Sequence, residues 1–210
     1  MAEQIFPTKG NLIKAKKDLA LSKLGYELMD RKRNILIREL MQMVDSAKEI
    51  RVSIEKTYED AYSALQEANI TQGVVEKFTK SVPVETTLHV DYRSVMGVEI
   101  PTVDIGKEIA LVPYGFYETN SALDNAYMLF IKVKYMTAEL AEIENSIYRL
   151  ANAIKKTQKR ANALKNILIP KFEGISKYIT DSLEEKEREE FSRLKVIKRQ
   201  KNNESKVNGA

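Results

Sequence analysis

The chain contains no cysteine and only one histidine in 210 residues. Without thiols it has no disulfide framework, no thiol nucleophile and no thiolate metal site, a composition that suits a reducing compartment. One histidine alone does not build a zinc site of the usual kind. That residue, His89, alternates with Leu88 and Val90 in a strand-like run, where a plain strand position is a simpler reading than a ligand or a base. The eight glycines are dispersed, and no Gly-x-x-x-x-Gly-Lys-Ser/Thr loop is present to cradle a phosphate. No apolar run reaches eighteen residues, so no transmembrane helix is expected. The opening MAEQIFPTKG lacks the apolar core of a secretory signal, which leads us to expect a cytoplasmic protein. These scarcities leave no catalytic residue, no cofactor site and no metal site to assign.

The remainder is apolar and charged: 43% of residues are hydrophobic and 30% are Asp, Glu, Lys or Arg, with a formal net charge of +4. That apolar share suffices for a folded core. The positive excess sits at the two ends, before Asn34 and after Glu190, and the middle is net acidic. The acidic run LEEKEREEF, Leu183 to Phe191, has lysine and arginine at i,i+3 and i,i+4 and reads as a solvated helix face.

Helix breakers divide the chain. From about Thr8 to Thr71, and from about Asn120 to Ile169 and beyond Pro170, they are almost missing. Between these stretches fall Gly73, Pro83, Gly97, Pro101, Gly106, Pro113 and Gly115 among β-branched residues, which is strand and turn chemistry. The expected organisation is one helix over 1–72, an insert over 73–119, a second helix over 120–201 and a disordered tail over 202–210.

Steps of three and four through the first segment give Leu12, Ala15, Leu19, Ser22, Tyr26, Met29, Arg33, Leu36, Leu40, Met43, Ala47, Ile50, Ile54, Thr57, Ala61, Leu65 and Ala68. The second repeats the pattern with Ala126, Phe130, Val133, Thr137, Leu140, Ile143 or Glu144, Ile147, Leu150, Ile154, Thr157, Ala161, Leu164 and Leu168; beyond Pro170, Phe172, Ile175, Ile179 and Leu183 resume it. A heptad this long keeps one stripe on a partner helix only by supercoiling. The predicted fold class is mostly α: a long antiparallel two-helix coiled coil of the N- and C-terminal helices, with a small central β-hairpin and short-helix insert. Leu88, Val90 and Tyr92 alternate in that hairpin, Gly97 marks its turn and Pro101 follows. If the helices end level near residues 70 and 120, Leu36 meets Ile154, Leu40 meets Leu150, Ala47 meets Ile143 and Ile50 meets Leu140. Pro170 then lies opposite Ala20 and kinks the second helix there. Gly25 is either simply tolerated in the helix or a place of close approach. Arg33 either lays its stem along the seam with its charge in solvent or touches another protein.

A resemblance adds to this reading. PTKGNLIKAKKDLALSKLGYELMDRKRNIL, Pro7 to Leu36, resembles the opening of the D subunit, the central rotor stalk component, of V-type and archaeal-type ATPases. RSVMGVEIP, Arg93 to Pro101, resembles that family's hairpin segment, and KRANALKNILIP, Lys159 to Pro170, with LEEKEREEFSRLKVIK after it, resembles its ascending helix. The resemblance implies an axle without active-site chemistry, which transmits torque between a catalytic hexamer and an ion-translocating membrane ring. The coupled ion would be a proton or sodium. The implied partners are the catalytic and non-catalytic hexamer subunits, a small companion rotor component known as the F subunit, and a funnel-shaped subunit capping the membrane ring, with the chain itself peripheral to the membrane. On this reading Arg31, Lys32, Arg33, Arg193, Lys195 and Lys198 would face the hexamer, and the hairpin would couple the foot. A homodimeric coiled-coil scaffold or tether without motor function would share the heptads; a nucleic-acid-binding helical protein fits less well, because Tyr58, Tyr62 and Tyr135 sit at helical rather than platform spacing.

Overall fold

A computed structural model of the protein describes residues 6–106, 112–115, 117 and 119–207. Helix α1, Lys9–Gln72, contains no proline. Thr8 caps its start, its Oγ1 accepting the Asn11 N–H at 3.2 Å. The helix stops at Gly73, whose φ of 79° is the left-handed conformation that ends helices and whose N–H donates to the Asn69 carbonyl. A short helix α2, Glu76–Thr79, follows, then strands β1, Leu88–Val95, and β2, Val98–Ile105. Helix α3, Ser121–Ala163, passes through a π-helical turn, Leu164–Leu168, into α4, Ile169–Val207. Two long helical arms flanking a small antiparallel sheet match the predicted class.

Two boundaries differ from expectation. Helix α4 runs past Lys201 to Val207, because no glycine or proline interrupts it after Gly174; residues 208–210 lie outside those described. At Pro170, the position of the expected kink, the helix makes a widened π turn over Leu164–Leu168 just before the proline. Proline lacks an N–H and crowds the carbonyl four residues back, and a π turn absorbs that missing bond. The extra residue rotates the side chains that follow. Leu168, placed on the seam from spacing alone, is exposed, and Ile179 recovers full burial farther along.

The chain forms two compact units, residues 1–31 with 157–210, and Lys32–Lys156. In the first, Ala15, Ser22, Thr157, Ala161 and Ile179 are buried. Lys9 pairs with Glu187 at 3.1 Å and Lys23 with Glu173 at 2.7 Å, and the Lys165 ammonium lies over the Tyr26 ring. Partner numbers fall as α1 numbers rise, so the pairing is antiparallel.

The second unit continues the same sense: Arg51 donates to Glu144 at 2.6 Å, the Tyr58 and Thr137 hydroxyls are 3.2 Å apart, and the Tyr62 ring meets the edge of Phe130. Leu36, Leu150 and Ile100 form a fully buried cluster, against which Leu40 and Ile154 pack. Toward Gln72, Ala68, Val75, Tyr114 and Leu123 form another. Tyr114 donates to Asp124 at 2.8 Å; its burial, with that carboxylate beside it, pushes the phenol pKa well up.

Candidate functional site

Three features bear on function: the paired helices, the hairpin and the cations. Along the helices, Leu12, Leu19, Tyr26, Met29, Leu40, Ile50, Ile147, Ile154 and Leu164 are half-buried, Leu140 likewise, and Leu36, Ile54 and Leu150 are buried. The seam also admits small polar residues. Ser22, Thr57 and Ser146 are buried, each hydroxyl returning its hydrogen bond to the carbonyl four residues back, at 2.7, 2.9 and 2.8 Å. Ser146 is missing from the sequence-derived seam, although it stands four residues before Leu150.

The hairpin turns at Met96 and Gly97, both at positive φ, 51° and 74°, the two-residue geometry that matches strand twist. Val95 faces Val98, and Tyr92 faces Pro101. In an antiparallel ladder, alternate residues of a strand turn their backbone polar groups away from the partner strand. On β2 those residues include Glu99, Pro101 and Val103. Proline there forfeits no ladder bond. The outward groups of its neighbours meet α3: Glu142 Oε2 accepts the Val103 N–H at 2.8 Å, and Arg149 donates to the Glu99 carbonyl at 3.3 Å while covering the Tyr92 ring.

Helix α3 thus closes one edge of the sheet, and Arg93 ties β1 to Glu39 of α1 at 3.3 Å. Ile100 is the buried anchor between Leu36 and Leu150. The hairpin therefore lies along the paired helices within its unit, with Leu88, Val90 and Tyr92 exposed and Pro101 buried. Its approach is fixed at Glu85, whose carboxylate holds Lys134 and Thr87; these bonds draw its pKa down to about 2. Beside Glu85, a cavity of about 680 Å³ is lined by Leu65, Phe78, Tyr114, Tyr127 and Phe130 among others.

Within its unit, Arg31 lies apart from the cations of α4. Arg31 is exposed, Lys32 and Arg33 are half-buried, and the Arg33 guanidinium donates to Asn34 at 3.2 Å. Arg193 lies 4.0 Å from Glu189, and Lys195 and Lys198 are exposed. Because Lys9 meets Glu187, this α4 group lies beyond the start of α1, whereas Arg31 is about six turns farther along α1. From Glu184 to Gln200 every residue is exposed, Phe191, Leu194 and Ile197 included. His89 sits exposed on β1 opposite Asp104, and no group of acids and histidine among the described residues is arranged to hold a metal.

Comparison with known proteins agrees with this geometry. Residues 11–199 match the model of the family described as the D subunit of ATP synthase. The chain is 44% identical to the V-type ATP synthase D subunit of Thermotoga neapolitana over 196 residues, covering 92% of this chain and 97% of the relative. It is 40% identical to the A-type ATP synthase D subunit of Methanopyrus kandleri, over 93% of this chain and 86% of that one. For the A-type counterpart in Methanobrevibacter smithii the identity is 37%, over 96% and 91%. The match runs through both helical arms and the hairpin, and the chain belongs to the ATP synthase D-subunit family.

Proposed function

We propose that this chain is the central axle of a V/A-type rotary ATPase, a non-catalytic component that carries torque between the catalytic hexamer and the ion-translocating membrane ring. The observation that carries the reading is the family match through both arms and the hairpin, joined to an antiparallel pairing of those arms within each unit. Two helices paired along a largely apolar seam within each unit resist twisting, as a shaft must. An asymmetric shaft inside a ring of like subunits contacts each of them differently, and such differential contact is what shifts each subunit between open and closed states.

The cations Arg31, Lys32, Arg33, Arg193, Lys195 and Lys198 face the hexamer in this scheme, through exposed ion pairs worth about 0–1 kcal/mol each. Contacts that weak can be made and broken as the shaft turns. The hairpin and the cluster around Tyr114 serve the foot, which engages the small companion F subunit and the funnel-shaped cap. No helix among the described residues is long and apolar enough to cross a membrane; in this scheme the chain sits peripheral to the membrane, on its cytoplasmic side.

The test is direct. With the catalytic hexamer fixed to a surface and a bead attached to this chain through a cysteine placed in the exposed β1 strand, ATP should drive unidirectional rotation. A complex that hydrolyses ATP with the bead stationary would refute the axle.

A further inference from the structure

Between the end of α1, helix α2 and the start of α3, the unit Lys32–Lys156 keeps an open cavity of about 680 Å³. Sites that hold small organic molecules span roughly 300–1,000 Å³. The walls are apolar and rich in rings: Leu65 comes from α1, Phe78 from α2, and Tyr127, Phe130 and Ile131 from α3, with Tyr114 from the segment before α3. Tyr114 orders the rings. Its centroid stands 6.2 Å from that of Phe78, at a tilt, and 5.8 Å from that of Tyr127, edge to face. Rings at such angles accept a further ring, stacked on a face or set edge-on. Water gains little from walls of this kind, and its release favours an apolar guest.

One part of the wall is polar. Glu85 and Lys134 are the only charged side chains among the described lining residues, and they pair with each other. The Glu85 carboxylate also accepts from the Thr87 N–H and hydroxyl, and the Lys134 ammonium lies over the Tyr135 ring, 5.2 Å from its centroid. Each charge is thus already countered. A charged guest would give up its hydration with no free counter-charge to meet it, whereas an uncharged one leaves the pair intact. The pair can still bond a neutral group, because an ammonium has three N–H donors and a carboxylate about four lone-pair sites. We propose that this cavity binds an uncharged molecule of two or three rings, whose one hydrogen-bonding group is held by Glu85 and Lys134. The site does not depend on the axle reading, since it lies within a single unit. A guest that bridges α2 and residues 82–87 to α3 stabilises this end of the unit by mass action.

The probes are 1-anilinonaphthalene, which is uncharged, and its 8-sulfonate, which adds one negative charge to the same rings. In fluorescence titrations of the full-length chain, the uncharged probe should bind at one site per chain, and the sulfonate roughly ten-fold more weakly. Glu85→Gln leaves Lys134 uncountered and should close that gap by tightening the sulfonate. In NMR spectra, the uncharged probe should shift the amide signals of Thr87, Tyr127 and Lys134 with one common dissociation constant. Ile131→Trp, which fills the cavity, should abolish binding. If that variant loses helicity, the amide shifts of the wild-type chain decide. Shifts confined to the exposed apolar residues of α4, Phe191, Leu194 and Ile197, would mean adsorption to the surface and overturn the site. A sulfonate that binds the wild-type chain as tightly as the uncharged probe overturns the assignment of an uncharged guest. Absence of saturable binding overturns the proposal outright and leaves the axle standing, since rotation of the bead tests that separately.

Discussion

Gly25 lies in the middle of a helix, where glycine costs about 1 kcal/mol relative to alanine. A Cβ added there would meet only Leu164 Cδ1, at 3.7 Å, an ordinary van der Waals distance. No close approach therefore demands glycine, and Gly25→Ala should raise stability by about 0.5–1 kcal/mol in chemical denaturation; a loss would point to a contact the free chain does not make. Glu85 makes the fold sensitive to acid. Lys134 and the Thr87 hydroxyl and N–H hold its carboxylate and lower its pKa from 4.5 to about 2. A depressed folded value means that this contribution is fully present above the unfolded value near 4.5 and is lost as pH falls toward 2. Wild-type protein should thus lose stability relative to Glu85→Gln across that window, and the Glu85 carboxyl signal in NMR should titrate near pH 2. A midpoint near 4.5 would mean that the Lys134 contact is not kept in solution.

At the scale of elements, the helices were legible and the hairpin's place was not. A heptad is a local regularity, so spacing alone led to Leu36, Ile54, Leu150 and Ala161, all buried. It misplaced Leu168 because a proline two residues on changes the helical pitch, and it passed over Ser146 because a hydroxyl can satisfy itself on its own helix. For the hairpin, alternation and Gly97 marked strands and turn. Nothing local marks Ile100 as its anchor, since Leu36 and Leu150 are distant in sequence. Treating residues 73–119 as a separate insert hid this dependence. Ile100→Ala should cost about 2–5 kcal/mol through the cavity it leaves. Amide exchange should rise first in β1 and β2, while α1 and α3 keep most of their protection. Equal loss of protection in all four elements would make the hairpin part of the helical core and not an element docked on it.

For the whole molecule, the antiparallel pairing occurs in both units and can be tested in both, since the chain has no native cysteine. The ion pairs Lys9–Glu187, Lys23–Glu173 and Arg51–Glu144 join positions farther from the helix-joining segment than a level register of Leu40 with Leu150 implies. Side chains on each helix lean toward that helix's own N-terminus, so in an antiparallel pair the long ones meet from backbone positions that have passed one another. Cysteine is short and reports the backbone register instead. Cβ atoms must approach to about 3.5–4.5 Å for a disulfide to close. Leu40→Cys with Leu150→Cys should therefore form an intramolecular bridge on oxidation within the unit Lys32–Lys156, since both residues belong to the Ile100 cluster. Gly25→Cys with Leu164→Cys should do the same in the other unit, where the added Cβ would stand 3.7 Å from the leucine tip. Bridging at position 157 or 143 in place of 150 would slide the register by a heptad and leave the two-helix pair intact. Bridges only between chains, 40 to 40, would instead mean parallel dimers in solution, a scaffold in place of a shaft folded from one chain.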